Sequence, residues 1–136
     1  MPAADLISDS LSRIHASLIT QGATEAAASE AVTLYAQFLD LIALRPGETL
    51  CPPAAADEAW HAHLEMDTYA ADCQNLIGRV IGHDATAFGT PAFRAAWGQT
   101  RNLFRQHYGV DLVADPDAKG QGSLAPASCF FKQEAA

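Results

Sequence analysis

The stretch Ala31-Val32-Thr33-Leu34-Tyr35-Ala36-Gln37-Phe38-Leu39-Asp40-Leu41-Ile42 decides how this chain folds. Ala31, Leu34, Tyr35, Phe38, Leu41 and Ile42 recur at intervals of three and four, so on a helix they form one apolar stripe. Thr24 offers a cap upstream, and Pro46-Gly47 stops the helix downstream. Before it, Ile7, Leu11, Ile14 and Leu18 follow i, i+4, i+7, i+11 spacing and predict a helix over residues 4–20, ended by Gln21-Gly22. Two such helices joined by a short turn pack antiparallel.

After the central helix, Leu50-Cys51-Pro52-Pro53 reads as an extended connector, because proline disfavours the helical region in the residue before it. Pro53 can then open a short helix through Trp60 and His61. Asp67 is positioned to cap a helix over 68–77 that Gly78 ends. Residues 79–90 contain Gly82 and Gly89 and read as a loop. Thr90-Pro91 opens a last long helix, with Phe93, Ala96, Trp97, Thr100, Leu103, Phe104 and His107 at helical spacing and Gly109 as its stop. No strand alternation stands out. The predicted class is all-α: a compact bundle of four to five helices over residues 1–113, with a loop carrying His83. Residues 114–136 read as a flexible tail, with a candidate docking segment at 128–132 around Cys129-Phe130-Phe131.

Length and composition set bounds on function. The 136 residues suit one domain with one core. No wholly apolar run approaches the roughly 20 residues of a membrane span, and the start of the chain has no basic region followed by an apolar core. A cytoplasmic protein with no membrane contact is the expectation. Three widely spaced cysteines argue for reduced thiols rather than a disulfide framework. A net charge of −8 argues against nucleic-acid binding. The charge is uneven: residues 1–74 hold eleven acids against Arg13 and Arg45, whereas residues 75–110 hold Arg79, Arg94, Arg101 and Arg105 against Asp84. Either the two halves attract each other in the fold, or the arginines flank a cleft for an anionic ligand.

The chemistry concentrates in Asp57-Glu58-Ala59-Trp60-His61-Ala62-His63, then Cys73, then His83. Three of the five histidines and one of the three cysteines fall within this window. Imidazole, thiolate and carboxylate are the ligands of transition metals, and histidine is also the usual proton carrier near neutral pH. His61, His63, Cys73 and His83 are the candidate metal ligands, for zinc first and iron or copper next. His63, Asp57 and Tyr69 are the candidate acid/base groups. Residues 61 and 63 differ by about 200° on a continuous helix, so either the helix ends between them or only one can serve. Asp57 lies one turn before His61, as a carboxylate that orients an imidazole would. The competing reading is structural: Trp60 a core anchor, Cys73 a small hydrophobe, Tyr69 a packed ring with its hydroxyl bonded, and the histidines part of a polar network.

The same residues carry a resemblance. Asp57-x-x-Trp60-His61-x-His63, Tyr69-x-x-x-Cys73, Gly78 and His83 resemble the motif of the plant glycine-rich domain-containing proteins and their short bacterial relatives, a family long labelled as of unknown function. Leu50–Pro53 resembles the proline-containing stretch before that motif. Thr100-x-x-x-Phe104-x-x-x-Tyr108-Gly109 resembles the family's Thr-x-x-x-Tyr-x-x-x-Phe-Gly ending. The likeness covers roughly residues 30–112. The chain departs from the pattern at His83-Asp84-Ala85, where the family often has His-x-Pro, and it lacks the glycine-rich tail and a tryptophan after the final glycine. The resemblance implies that Asp57, His61, His63, Cys73 and His83 belong together; it implies no reaction.

Two functions are expected from this. One is a small metalloprotein, with an open coordination position that could act on a small molecule in a biosynthetic pathway. The other is a non-catalytic accessory module that binds a partner protein, in which the His/Cys/Asp cluster is structural. A thiol enzyme using Cys73 has no supporting local motif.

Overall fold

Thr24 opens the central helix as its spacing predicts: its hydroxyl accepts from the Ala27 amide at 3.1 Å, which satisfies one of the amides a helix start leaves unpaired. In this computed structural model, which describes residues 2–84, 88–127 and 130–133 (83–84 and 130–133 by backbone alone), the elements run in a simple order. They are α1 (Ala3–Leu6), α2 (Ser8–Thr20), α3 (Glu25–Leu44), α4 (Ala54–Leu64), α5 (Tyr69–Ile77), β1 (Ile81–Asp84), α6 (Pro91–Tyr108) and β2 (Phe130–Gln133). The chain is a mostly helical bundle.

α3 is the axis of the bundle, with α1, α2, α4, α5 and α6 all packed on it. Leu34, Tyr35, Phe38, Leu39, Leu41 and Ile42 are buried, so the stripe read from the sequence is the core face. Burying one such side chain fully stabilises the fold by about 1.5–3 kcal/mol. Among the described residues α3 is also the one helix long and apolar enough to cross a membrane; here half of it is covered by its neighbours. Trp60, Trp97, Phe93 and Phe104 join the same core from α4 and α6. The start of α6 keeps its expected form: the Thr90 hydroxyl accepts from the Phe93 amide at 3.1 Å, Pro91 takes the first turn, and Gly109 closes the helix at φ 65°.

Four features differ from the sequence reading. The first helix is two, because Ile7 leaves helical geometry (φ −126°, ψ 36°) and separates α1 from α2. α1 is tied down by the Ala3 amide donating to Asp40 on α3 at 2.7 Å. The loop over 79–90 contains a strand: β1 pairs antiparallel with β2, from Ile81 opposite Gln133 to Asp84 opposite Phe130. α5 starts at Tyr69 with Thr68 at its cap position and no side-chain capping bond there, so Asp67 is not its cap.

The fourth difference is residues 111–127, which lie as a strap against the body. Pro53 precedes α4 and provides no side-chain cap. Instead the Ala54 amide donates to the Ala125 carbonyl at 2.8 Å and the Ala55 amide to the Ser123 carbonyl at 3.1 Å, while the Ala127 amide donates to the Pro52 carbonyl at 3.0 Å. Ala118, Ala125 and Ala127 are buried under these contacts. The α6 arginines also turn to this strap. Arg94 pairs with Asp117 at 3.2 Å and Arg105 with Asp111 at 2.9 Å, and Arg101 donates to the Leu112 carbonyl at 3.4 Å. Neither the attraction between acidic and basic halves nor an arginine-lined anion cleft accounts for these three side chains. Cys129, within the candidate docking segment, lies outside the described residues.

Candidate functional site

α4 continues through His63 to Leu64. The two imidazoles therefore leave the helix on opposite sides, and His61 and His63 do not serve one centre. His61 is exposed; its Nδ1–H donates to the Asp57 carbonyl oxygen at 2.7 Å, with the Asp57 carboxylate 3.3 Å away. The short bond is to the main chain of Asp57 and not to the carboxylate that the one-turn spacing suggested as its holder.

His63 points inward and is 1% exposed. Its Nε2 lies 2.7 Å from Asp72 Oδ2 on α5, and its Nδ1 lies 2.7 Å from the Tyr35 hydroxyl on α3. The carboxylate accepts, so Nε2 carries the hydrogen and the Nδ1 lone pair accepts from Tyr35. Asp72 Oδ2 accepts a second bond from the Ser10 hydroxyl on α2 at 2.6 Å, and Ser10 also sits 3.3 Å from the Thr68 hydroxyl. One imidazole thus joins four helices. Burial pushes the Tyr35 hydroxyl well above its ordinary pKa, with Tyr69, Cys73 and Asp72 adding to the effect, so it stays a donor. Burial also lowers the pKa of His63, against the opposing pull of Asp72.

A second set of bonds lies against the first. The Trp60 indole donates to the Tyr69 hydroxyl at 2.9 Å, and that hydroxyl donates to the Ile81 carbonyl at 2.8 Å, fastening β1 to α5 and α4. The rings of His63 and Tyr69 meet edge to face, with centroids 4.8 Å apart. Cys73 is buried beside them, and its thiol is raised chiefly by burial, with the neighbouring Ile81 backbone and Tyr69 acting in the opposite direction. Cys51 is sealed under the strap, its thiol raised further by burial and by Asp57. A thiol held in this state is a poor nucleophile, because the thiolate is the reactive form. Cys73 is therefore expected to react with iodoacetamide at neutral pH far more slowly than a free cysteine, and only as fast as the fold opens. Rapid modification in the native state, followed by mass spectrometry, would contradict this.

The sequence-predicted residues thus separate into two places. Asp57 and His61 share the outer face of α4, whereas His63, Tyr69 and Cys73 gather inside at its junction with α5. The His83 side chain lies outside the described residues, and its backbone is in β1. Among the described residues no group of three or more His, Cys, Asp or Glu is placed to hold a metal ion. Sequence reasoning missed Ser10, Tyr35 and Asp72. A signal was present, since each is a polar-tipped residue at an inward position of an otherwise apolar helical face.

On the outer side, two open clefts of about 350 and 430 Å³ share Glu58 in their walls. The first is lined by Glu30 of α3, the start of α4 and Gly120, Gly122 and Ser123 of the strap, and the second by Leu18, Gln21, Ala23 and His61. Neither includes a group from the His63 network. Comparison of the chain with protein-family models, with curated proteins and with solved structures gave no match.

Proposed function

We propose that this protein is a non-catalytic helical accessory module that binds a partner protein, and that its histidine-centred cluster is a structural fastener. The observation that carries this reading is His63: both ring nitrogens are engaged within the protein and the ring is 1% exposed. A catalytic imidazole needs a nitrogen within reach of substrate, and a ligating one needs a lone pair for the metal. Tyr69 is similarly committed, with one bond received and one given. The partner surface in this reading is the acidic side of α3 and α4, where Glu30 and Glu58 wall the first cleft and suit a partner with basic groups.

Membership of the glycine-rich domain-containing family is part of the same proposal. Trp60, His63, Tyr69 and Cys73 of its motif meet at one buried junction, so the demands of packing and hydrogen bonding are enough to account for their occurring together. Elemental analysis of the purified protein, with melting in the presence and absence of EDTA, tests the reading. The expected result is no stoichiometric metal and an unchanged melting temperature. Zinc, iron or copper at one per chain, removed by chelation together with the fold, would overturn it.

A further inference from the structure

We infer that the groove between α3 and the strap docks an extended segment of the partner protein, one that carries a basic side chain two positions from an apolar one. The inference rests on the partner-binding reading given above and gives that partner a chemistry.

The groove has two halves that meet at Glu30. One is the 350 Å³ cleft already described, walled by Glu30, Glu58 and the strap. The other, of about 370 Å³, shares Glu30 and continues along α3 past Leu34 to Gln37, with Val110 and Leu124 completing its wall. Glu30 and Glu58 are exposed, and among the described residues neither has an ion pair. Arg94 and Arg105 of α6, by contrast, are already paired with aspartates of the strap. The strap's share of the wall is bare main chain at Gly120 and Gly122. Among the described residues the amides of Gly122, Ser123 and Leu124 have no hydrogen-bond partner. Unpaired amides suit the carbonyls of an extended chain, and unpaired carboxylates suit a cation on that chain.

The spacing of the segment follows from helix geometry. Glu30 and Leu34 lie one turn apart on α3, about 6 Å along its axis. In an extended chain, side chains two positions apart point the same way and are separated by about 6.6 Å. A basic residue at Glu30 therefore sets its second neighbour against Leu34, Val110 and Leu124, and the residue between them faces water. From Ala27 to Gln37 the groove runs about 15 Å, the length of about five extended residues. At its far end Gln37 keeps its side-chain oxygen buried without a donor, the one such side-chain atom among the described residues. Turning outward costs that oxygen no bond and offers the segment an acceptor. A second copy of this chain is a poor occupant, because each copy carries a net charge of −8.

The test is a titration of the full chain with synthetic pentapeptides, followed by nitrogen-15 NMR. Ala-Lys-Ala-Leu-Ala and its reverse, blocked at both ends, are compared with Ala-Glu-Ala-Leu-Ala and with the misspaced Ala-Lys-Leu-Ala-Ala. The expected result is saturable shifts at Glu30, Leu34 and residues 122–124 with at least one matched peptide, several-fold tighter than with either control. The Glu30→Lys/Glu58→Lys double variant changes two exposed positions, so it should keep its fold and bind roughly tenfold more weakly. Salt at about 1 M, which screens charges beyond about 3 Å, should weaken binding to the wild-type protein as well. No binding of either matched peptide, equal binding of the controls, shifts confined to another face, or undiminished binding by the double variant overturns the groove. Concentration-dependent shifts of the same residues without peptide would show that a second copy fills it, and would overturn the proposal too. Metal analysis of the same sample separates the two proposals. One metal ion per chain defeats the accessory-module reading, whereas metal-free protein indifferent to the peptides defeats the groove alone.

Discussion

His63→Ala is expected to destabilise the fold by about 3–5 kcal/mol, the cost of breaking a buried charge-assisted pair by removing one partner. The change leaves Asp72 with the hydrogen bond from Ser10 and takes the acceptor from the Tyr35 hydroxyl. It also opens space between α3, α4 and α5. Domains of this size have about 5–15 kcal/mol in total, so the variant should be partly unfolded at moderate temperature. Urea unfolding followed by far-ultraviolet circular dichroism measures it. His61→Ala, two residues away on the exposed side, is the control and should change stability by no more than about 0.5 kcal/mol. Equal losses in the two variants would show that the inward ring holds nothing together.

Trp60→Ala should cost a similar amount, about 3–5 kcal/mol, by a different mechanism. Trp60 is fully buried on α4, so the substitution creates a cavity that surrounding helices can fill only in part. Its indole also donates to Tyr69, whose hydroxyl in turn holds the Ile81 carbonyl. Trp60→Phe separates the two contributions, since it keeps most of the ring volume and removes the donor. It should lose clearly less than the alanine variant, and hydrogen exchange at β1 should quicken in both. An alanine variant as stable as wild type would mean that this side of the core is not close-packed.

The helices were legible because each writes its buried face as a 3.6-residue pattern, and the stops were legible because Gly78, Gly109 and Pro46 have few other uses. What escaped the sequence depended on distant partners. β1 is Ile81-Gly82-His83-Asp84, too short and too poor in β-branched residues to announce itself, and its pairing with β2 is set by chain some fifty positions later. The strap reads as polar and turn-rich, and only the amides of Ala54 and Ala55 explain why it lies where it does. The functional cluster was legible as a concentration of histidine and cysteine, but which way each ring faced depended on where α4 ends. The sequence allowed a stop near His61; the helix runs three residues further, and that places His61 and His63 in different environments. Tyr35 was readable as one more member of an apolar stripe, and its hydroxyl gains meaning only once His63 is opposite it.

The strap also has a consequence in time. A helix whose first amides are satisfied by its own side chains can close as soon as it is made. α4 cannot, because its acceptors are the carbonyls of Ser123 and Ala125. While the chain is still being synthesised, α2 and α3 can pair locally, but the helix bearing His63 keeps an open end until residues 123–125 have emerged. Contacts between segments so far apart in the chain form slowly, since loop closure must come first. The half-made protein therefore carries its histidine junction on a helix that is not yet anchored, and a segment made only after α6 is what sets it in place.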